Sequence, residues 1–342
     1  MTVDVLVGPG ALSGLAALAG VPAGPVSPLP GAGGDLDAPD RQALQAAGLL
    51  DDGGAPGGDL IRALAALAQA PAAAAVRVVA GGGGLEWGVW FPDDGGAPVS
   101  VADTDAGWQI DDPAPVEDVL ALVRELLGDA VAGALDLDVD LDADAAFVLG
   151  ACVDEGRRSV LTGLAERTEA VPAPMAPTAI QEAVASAGAG PVWLTGILAG
   201  ALGVTPPGAG AVDAAIGALA GTGLLAGSAQ AWTLAGDALA LAVRLPVIEH
   251  VVTLSAARAG ADGADRRSVT IVQGGVHDLL ALERVDDRVA FWGLGAVEAL
   301  DIAATMLSGP WVEAPVAFCP ACGAGARADD RFCAACGGAL SA

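Results

Sequence analysis

Cys319-Pro320-Ala321-Cys322, ten intervening residues and then Cys333-Ala334-Ala335-Cys336 set four thiols at the spacing of a tetrahedral metal site. A glycine follows each pair, Gly323 and Gly337, so each turn can tighten until backbone N–H groups approach the thiolates. Zinc fits such a set, with each sulfur about 2.3 Å from the ion; iron or a redox role is the alternative. Four thiolates leave no position open for a substrate, so the ion would fold the tail rather than catalyse. Cys319, Cys322, Cys333 and Cys336 are therefore the expected zinc ligands. Cys152 is left over and reads as a small, buried apolar side chain.

Other residues of chemical interest have plainer readings. Val3–Val7 followed by Gly8, Gly10 and Gly14 approaches a dinucleotide-binding turn, but Ser13 holds the third glycine's place and a Pro-rich loop follows. Gly81–Gly84 leads into Leu85-Glu86-Trp87 and reads as a hairpin loop rather than a phosphate cradle. Asp136, Asp138, Asp140, Asp142 and Asp144 alternate with apolar residues, placing five carboxylates on one face of a strand. A calcium loop starting at Asp140 needs a glycine at its sixth position and a glutamate at its twelfth, where Ala145 and Ala151 stand. The run is expected to be a solvated edge that discourages pairing with other sheets. His250 and His277 sit beside Glu249 and Asp278, on opposite faces of their strands, so neither pair is an acid–base couple. No serine or cysteine has a nucleophile-elbow setting, and a non-enzymatic protein is expected. Trp87, Trp90 and Trp108 read as core or interface aromatics.

The elements around these residues come from a chain of 342 residues, enough for one large or two ordinary domains. Its hydrophobic content is 54%, but alanine and glycine dominate the chain. Residues 183–212 are uncharged, yet Gly188, Gly190, Pro191, Pro206 and Pro207 interrupt them, so no bilayer span is expected. No cationic segment precedes the N-terminal apolar stretch, as a secretory signal requires, and the chain reads as cytoplasmic. The formal net charge of −27 repels phosphate backbones and makes nucleic acid a poor partner.

Apolar periodicity predicts strand Val3–Val7, helices Ala11–Ala19, Asp40–Ala47 and Asp59–Ala70, a strand meander from Val76 to Ile110, and helix Val116–Leu127. A second series comprises helices Val212–Leu225 and Ala231–Leu245, four strands from Glu249 to Trp292, and helix Ala296–Leu307. Residues 43–79 match those 175 positions later without a gap: Gly48 meets Gly223, Leu64 meets Leu239 and Pro71 meets Pro246. This period is domain-sized, far above the roughly 20–50 residues of solenoid repeats. The expected fold is an internally duplicated, pseudo-two-fold α+β body with a largely antiparallel central sheet flanked by helices. Its predicted divisions are residues 1–144, 145–310 and a zinc-bound tail, 317–342.

The tail, over Ala317–Leu340, resembles the zinc-ribbon family, whose members serve as protein- or nucleic-acid-binding appendages. Here Arg327 and Arg331 are offset by Asp329 and Asp330, favouring a protein contact. The body resembles the EspG family of type VII (ESX) secretion-associated proteins. The matching stretches are Val3-Asp4-Val5-Leu6-Val7 with helix Ala11–Ala19; Arg41-Gln42-Ala43-Leu44-Gln45-Ala46-Ala47-Gly48-Leu49-Leu50; and Ile110-Asp111-Asp112-Pro113 before helix Val116–Leu127. The strands from Glu249 to Trp292 and the helix Ala296–Leu307 fit that family's C-terminal half. The resemblance implies a quasi-two-fold α+β fold and a cytosolic chaperone that holds the apolar helical tip of a secretion substrate pair. It assigns no individual binding residue. The alternative is a DNA-associated regulator with tandem winged-helix-like units, which needs an Arg-rich helix in each half; Asp59–Ala70 holds only Arg62, and Ala231–Leu245 only Arg244.

A tail this short cannot build a core without metal. Elemental analysis of protein purified without chelator is expected to give one zinc per chain, lost together with tail folding when all four cysteines are replaced by serine. A folded, metal-free tail rules the site out.

Overall fold

The computed structural model describes residues 3–30, 34–80, 83–128, 135–187, 190, 192–260, 263–275, 278–309, 317–318 and 325–326. The chain opens with β1 (Val3–Val7), whose Val3, Val5 and Val7 are buried while Asp4 and Leu6 face out. Helix α1 (Ala11–Ala19) follows, ending at Gly20 in the left-handed region, φ 64°. In α2 (Ala38–Ala46) the Asp37 carboxylate caps the helix by accepting from the Asp40 amide at 2.8 Å. Asp40 in turn accepts from the Gly8 amide and ties this helix to the turn after β1. Helix α3 (Gly58–Gln69) buries Leu60, Ala63, Leu64 and Leu67 along one stripe. The meander β2 (Ala72–Ala80), β3 (Gly83–Phe91), β4 (Val99–Thr104) and β5 (Gly107–Asp112) leads into α4 (Val116–Leu127). β2 starts four residues before the predicted Val76. Alanine is a poor strand former, and pairing on both sides overrides its preference.

β6 (Asp138–Asp142) and α5 (Ala143–Glu166) open the second half, with Asp142 capping the helix through the Ala145 amide at 2.8 Å. At 24 residues α5 is a long helix, buried along much of its length. Then come α6 (Pro177–Ala185), α7 (Leu194–Gly200), α8 (Ala209–Gly221), β7 (Leu225–Ser228), β8 (Ala231–Leu234) and α9 (Gly236–Arg244). The expected helix Ala231–Leu245 is therefore corrected to a strand followed by a shorter helix. Trp232 and Thr233 favour a strand, and Gly227, at φ 143°, supports the hairpin backbone with β7. The half closes with β9 (Ile248–Gly260), β10 (Gly263–Gly274), β11 (Asp278–Val285), β12 (Arg288–Leu294) and α10 (Ala296–Leu307).

Ten strands form one sheet in the order β1-β5-β4-β3-β2-β9-β10-β11-β12-β6, and every neighbouring pair is antiparallel. The α+β class and the large antiparallel sheet therefore stand as expected. β6 pairs with β12, at the edge formed by the chain's second half. One face at the sheet's centre is covered by α4 and α10, which close over Val76, Val252 and Leu254. On the other face, α1 and α3 cover the β1 end and the α5–α9 layer covers the β6 end.

The same sequence of strand, helices, four-strand meander and closing helix occurs in each half. The Leu49 amide bonds the Leu44 carbonyl at 2.9 Å, as Leu224 bonds Leu219 at 3.0 Å, 175 positions on. Gly48 and Gly223 share positive φ, 71° and 80°. The gapless match then fails. A bridge joins Leu50 to Pro56, but the corresponding ladder joins Leu225 to Leu234, three residues further along. Leu64 is fully buried, whereas Leu239 is 39% exposed. The β7–β8 hairpin takes three extra residues, and α9, at 9 residues against 12 in α3, gives them back before Pro246.

On β1 and β5 the Gln109 amide donates to both Asp4, at 2.8 Å, and Asp111, at 2.9 Å. Burial chiefly raises the Asp111 pKa; the Asp4 charge adds to the rise, against the hydrogen bonds from Gln109 and Ser100. A carboxyl raised in the folded state helps folding fully below its unfolded pKa of about 3.9, and that help is lost as pH rises through the folded value. Asp111→Asn is expected to raise the melting temperature at pH 7 and to leave it unchanged at pH 3, as followed by circular dichroism.

Candidate functional site: an open trough across the sheet

Between the α1–α3 layer and the α5–α9 layer the centre of the sheet is uncovered. Alternation along β2 sends Val76 and Val78 under α4 and α10, and Ala75, Arg77 and Val79 to the open face. β9 and β10 present Val251, Thr253, Ser255 and Ser268 there. Because these side chains are small apart from Arg77, a trough of about 770 Å³ remains above them, walled by Phe147, Ile197, Ala201 and Pro206. Its floor hydroxyls satisfy one another across strands: Thr253 with Thr270, and Ser255 with Ser268, both at 3.1 Å. The floor is thus apolar with little unmet hydrogen bonding, suited to an apolar occupant. On β3, Trp90 folds back so that a Cβ at Gly88 would lie 2.5 Å from its ring, and its indole donates to the Val26 carbonyl at 2.7 Å.

Helix α7 supplies much of the wall and is too short to hold itself. Asp154 of α5, 2% exposed, accepts from the amides of Leu194 (2.9 Å) and Thr195 (3.0 Å) and from the Thr195 hydroxyl (2.8 Å). It caps α7 from a neighbouring helix, where a carboxylate also meets the positive end of the helix dipole. Arg157 reaches Asp154 at 2.9 Å and the carbonyls of Val192 and Pro246 at 3.0 and 3.3 Å. Burial lowers the guanidinium's pKa, while the charge and hydrogen bond of Asp154 oppose the shift. Arg157 and Arg158 also lie over Trp193, at 5.0 and 4.5 Å from its centroid.

At one end the trough meets a row of charges. Arg77 faces Glu86 across β2 and β3 at 4.0 Å, both well exposed, a geometry that contributes little stability. Glu86 lies directly opposite Asp103 of β4. A second depression of about 350 Å³ shares Arg77, Val79 and Glu86 with the trough and adds Asp103 and Asp105.

Cys319, Cys322, Cys333 and Cys336 lie outside the described residues, as does His277. Between and beside the cysteines, Ala317–Phe318 and Gly325–Ala326 pair as two short antiparallel strands. Among the described residues no cluster of His, Cys, Asp and Glu could hold a metal, the acidic run included. Cys152 sits fully buried in α5, where burial pushes its thiol up to about 12. Gly14 packs inside α1 against the Leu36 backbone, serving close packing rather than a nucleotide. Trp87 is buried in the core; Trp108 donates to the Pro9 carbonyl at 3.0 Å. Sequence reasoning passed over the trough. Its trace is the run of small residues at alternate positions of Ala72–Val79, with the hydroxyls of Thr253, Ser255 and Ser268.

No protein-family model matches the chain, nor does any curated protein. The fold is similar to that in the solved structure of the Mycobacterium tuberculosis type VII secretion system chaperone EspG5 in complex with the PE25–PPE41 dimer. The TM-score is 0.50 at 12% sequence identity, covering 92% of this chain and 98% of that one. The likeness defines the class, an EspG-like α+β body, and extends over almost the whole of both chains. No helix among the described residues is long and apolar enough to cross a membrane.

Asp154→Ala leaves Arg157 buried without its counter-charge and α7 without its cap. Urea denaturation is expected to show a loss of about 3–5 kcal/mol, the usual effect of removing one partner of a buried pair. Glu155→Ala, which removes only a partly exposed ion pair with Arg158, is expected to change stability by under about 1 kcal/mol.

Proposed function

We propose that this protein is a non-enzymatic, cytosolic chaperone or adaptor of a secretion-type system that holds an apolar helical segment of a partner in the trough. The carrying observation is the apolar strip left bare at the centre of a sheet that α1 and α3 cover towards β1 and the α5–α9 layer covers towards β6 on that face. A helix about 10 Å across matches such a strip in kind, with apolar residues against Ala75, Val79 and Val251. The EspG-like fold supports this reading, since EspG5 was solved with a PE25–PPE41 dimer bound. The body is read as two copies of one unit about a pseudo-two-fold at the β2–β9 pair. The pairing of β6 with β12 supports reading β6 with the second copy, with a proposed division ahead of residue 138 rather than at 144.

The tail is proposed to bind one structural zinc through Cys319, Cys322, Cys333 and Cys336 and to make a separate protein contact. The DNA-regulator alternative has less support. α3 and α9 each carry a single arginine, and both, Arg62 and Arg244, are engaged by buried Asp112 and Asp278.

Photocrosslinking from a benzophenone amino acid at position 75 tests the docking site. In the native host it is expected to capture a helical protein, and the same label at Ala304 of α10 is expected not to. Equal capture from both positions, or DNA binding at micromolar affinity in physiological salt, overturns this reading.

A further inference from the structure

On the reading that the trough holds an apolar helix, we propose that the occupant carries a cationic end, seated at the mouth formed by Glu86, Asp103 and Asp105. One row crosses six strands: Thr270, Thr253, Arg77, Glu86, Asp103 and Trp108 are successive cross-strand partners. Within it two carboxylates stand directly opposite each other, an arrangement that destabilises a sheet unless a cation meets it. Arg77 serves Glu86 only across a long 4.0 Å contact, and Asp103 lies one strand beyond it. Asp105, in the β4–β5 turn, adds a third carboxylate to the same depression.

Arg77, Val79 and Glu86 line both the trough and this mouth, so a helix lying along Ala75 and Val251 brings one end to the acids. The formal charge of −27 draws a cationic end towards the protein from a distance and disfavours an acidic one. Lysine or arginine in the terminal turn fits this mouth; the apolar face supplies the affinity, and the charge selects the direction in which the helix lies.

Two labelled synthetic helices of about 18 residues test this, long enough to hold helical structure. They share one Leu/Ala face and end in three lysines or three glutamates. Fluorescence anisotropy is expected to show the lysine-ended helix binding about tenfold more tightly at low salt, with the gap closing as salt rises. Asp103→Asn with Asp105→Asn is expected to abolish that preference, and Ala75→Trp or Ala201→Trp to abolish binding of both helices while the melting temperature is retained. Equal affinities that remain sensitive to Ala75→Trp overturn the cationic-end proposal and leave the trough reading standing. Binding indifferent to both Trp variants, or no binding of either helix, overturns the trough reading as well.

Discussion

Everything in this fold hangs on the antiparallel pairing of β2 with β9, from Ala72 opposite Arg258 to Ala80 opposite His250. Each meander alone would end in an unpaired strand, a template for unwanted association. Joined, they make the inner edges into the middle of a ten-stranded sheet. On one face of this seam Val76, Val252 and Leu254 give α4 and α10 a common surface to pack on, so the closing helices of both halves sit side by side. The seam is therefore held by backbone hydrogen bonds along its length and by a shared core beneath it.

The opposite face of the seam follows a different logic. A sheet centre bare to solvent normally exposes large apolar side chains, and such patches promote association. Alanine and paired hydroxyls reduce that hazard without making the surface strongly polar: Thr253 with Thr270 and Ser255 with Ser268 turn their hydrogen-bonding capacity on one another. The wall beside it has to stay in place with no occupant present. A seven-residue helix achieves this because Asp154 and Arg157 reach from the long, buried α5, and the bond from Arg157 to the Pro246 carbonyl couples α7 to the turn before β9. The position of the trough wall is thus tied to the start of the strand that forms its floor.

Much of the fold was legible because the apolar period was clean. Helices Ala11–Ala19, Val116–Leu127 and Ala296–Leu307 end where the periodicity ends. The failures share a cause, a sequence so rich in alanine and glycine that local preference and identity both lose contrast. Ala72–Ala75 is a strand because of its neighbours, and Ala231–Leu234 turns into a hairpin that short-range pattern could not separate from α9. The Leu64/Leu239 match arose the same way: leucines in alanine-rich helices coincide easily, whereas the Leu50–Pro56 bridge and the Leu225–Leu234 ladder fix the register physically. Asp154 looked like any helical acid, since its partners, Leu194 and Thr195, lie forty residues on.

The charge imbalance has a structural reading as well. With 42 acidic residues against 15 arginines and no lysine, each cation is scarce. Several are engaged in fixed pairs: Arg157 with Asp154, Arg62 with Asp112, Arg244 with Asp278, Arg267 with Glu283 and Arg288 with Asp140. Arginine suits this duty, because its planar fork can hold a carboxylate through two bonds, as Arg267 does at 2.6 and 3.1 Å to Glu283. Asp138 and Asp142 of β6 stay exposed, and carboxylates there discourage the sheet's outer edge from pairing further. A chain with a formal charge of −27 and so few cations has little to offer a polyanion. On the reading proposed above, affinity for a protein comes instead from the apolar strip at the seam, and the surplus carboxylates beside it select the charged flank of an apolar segment.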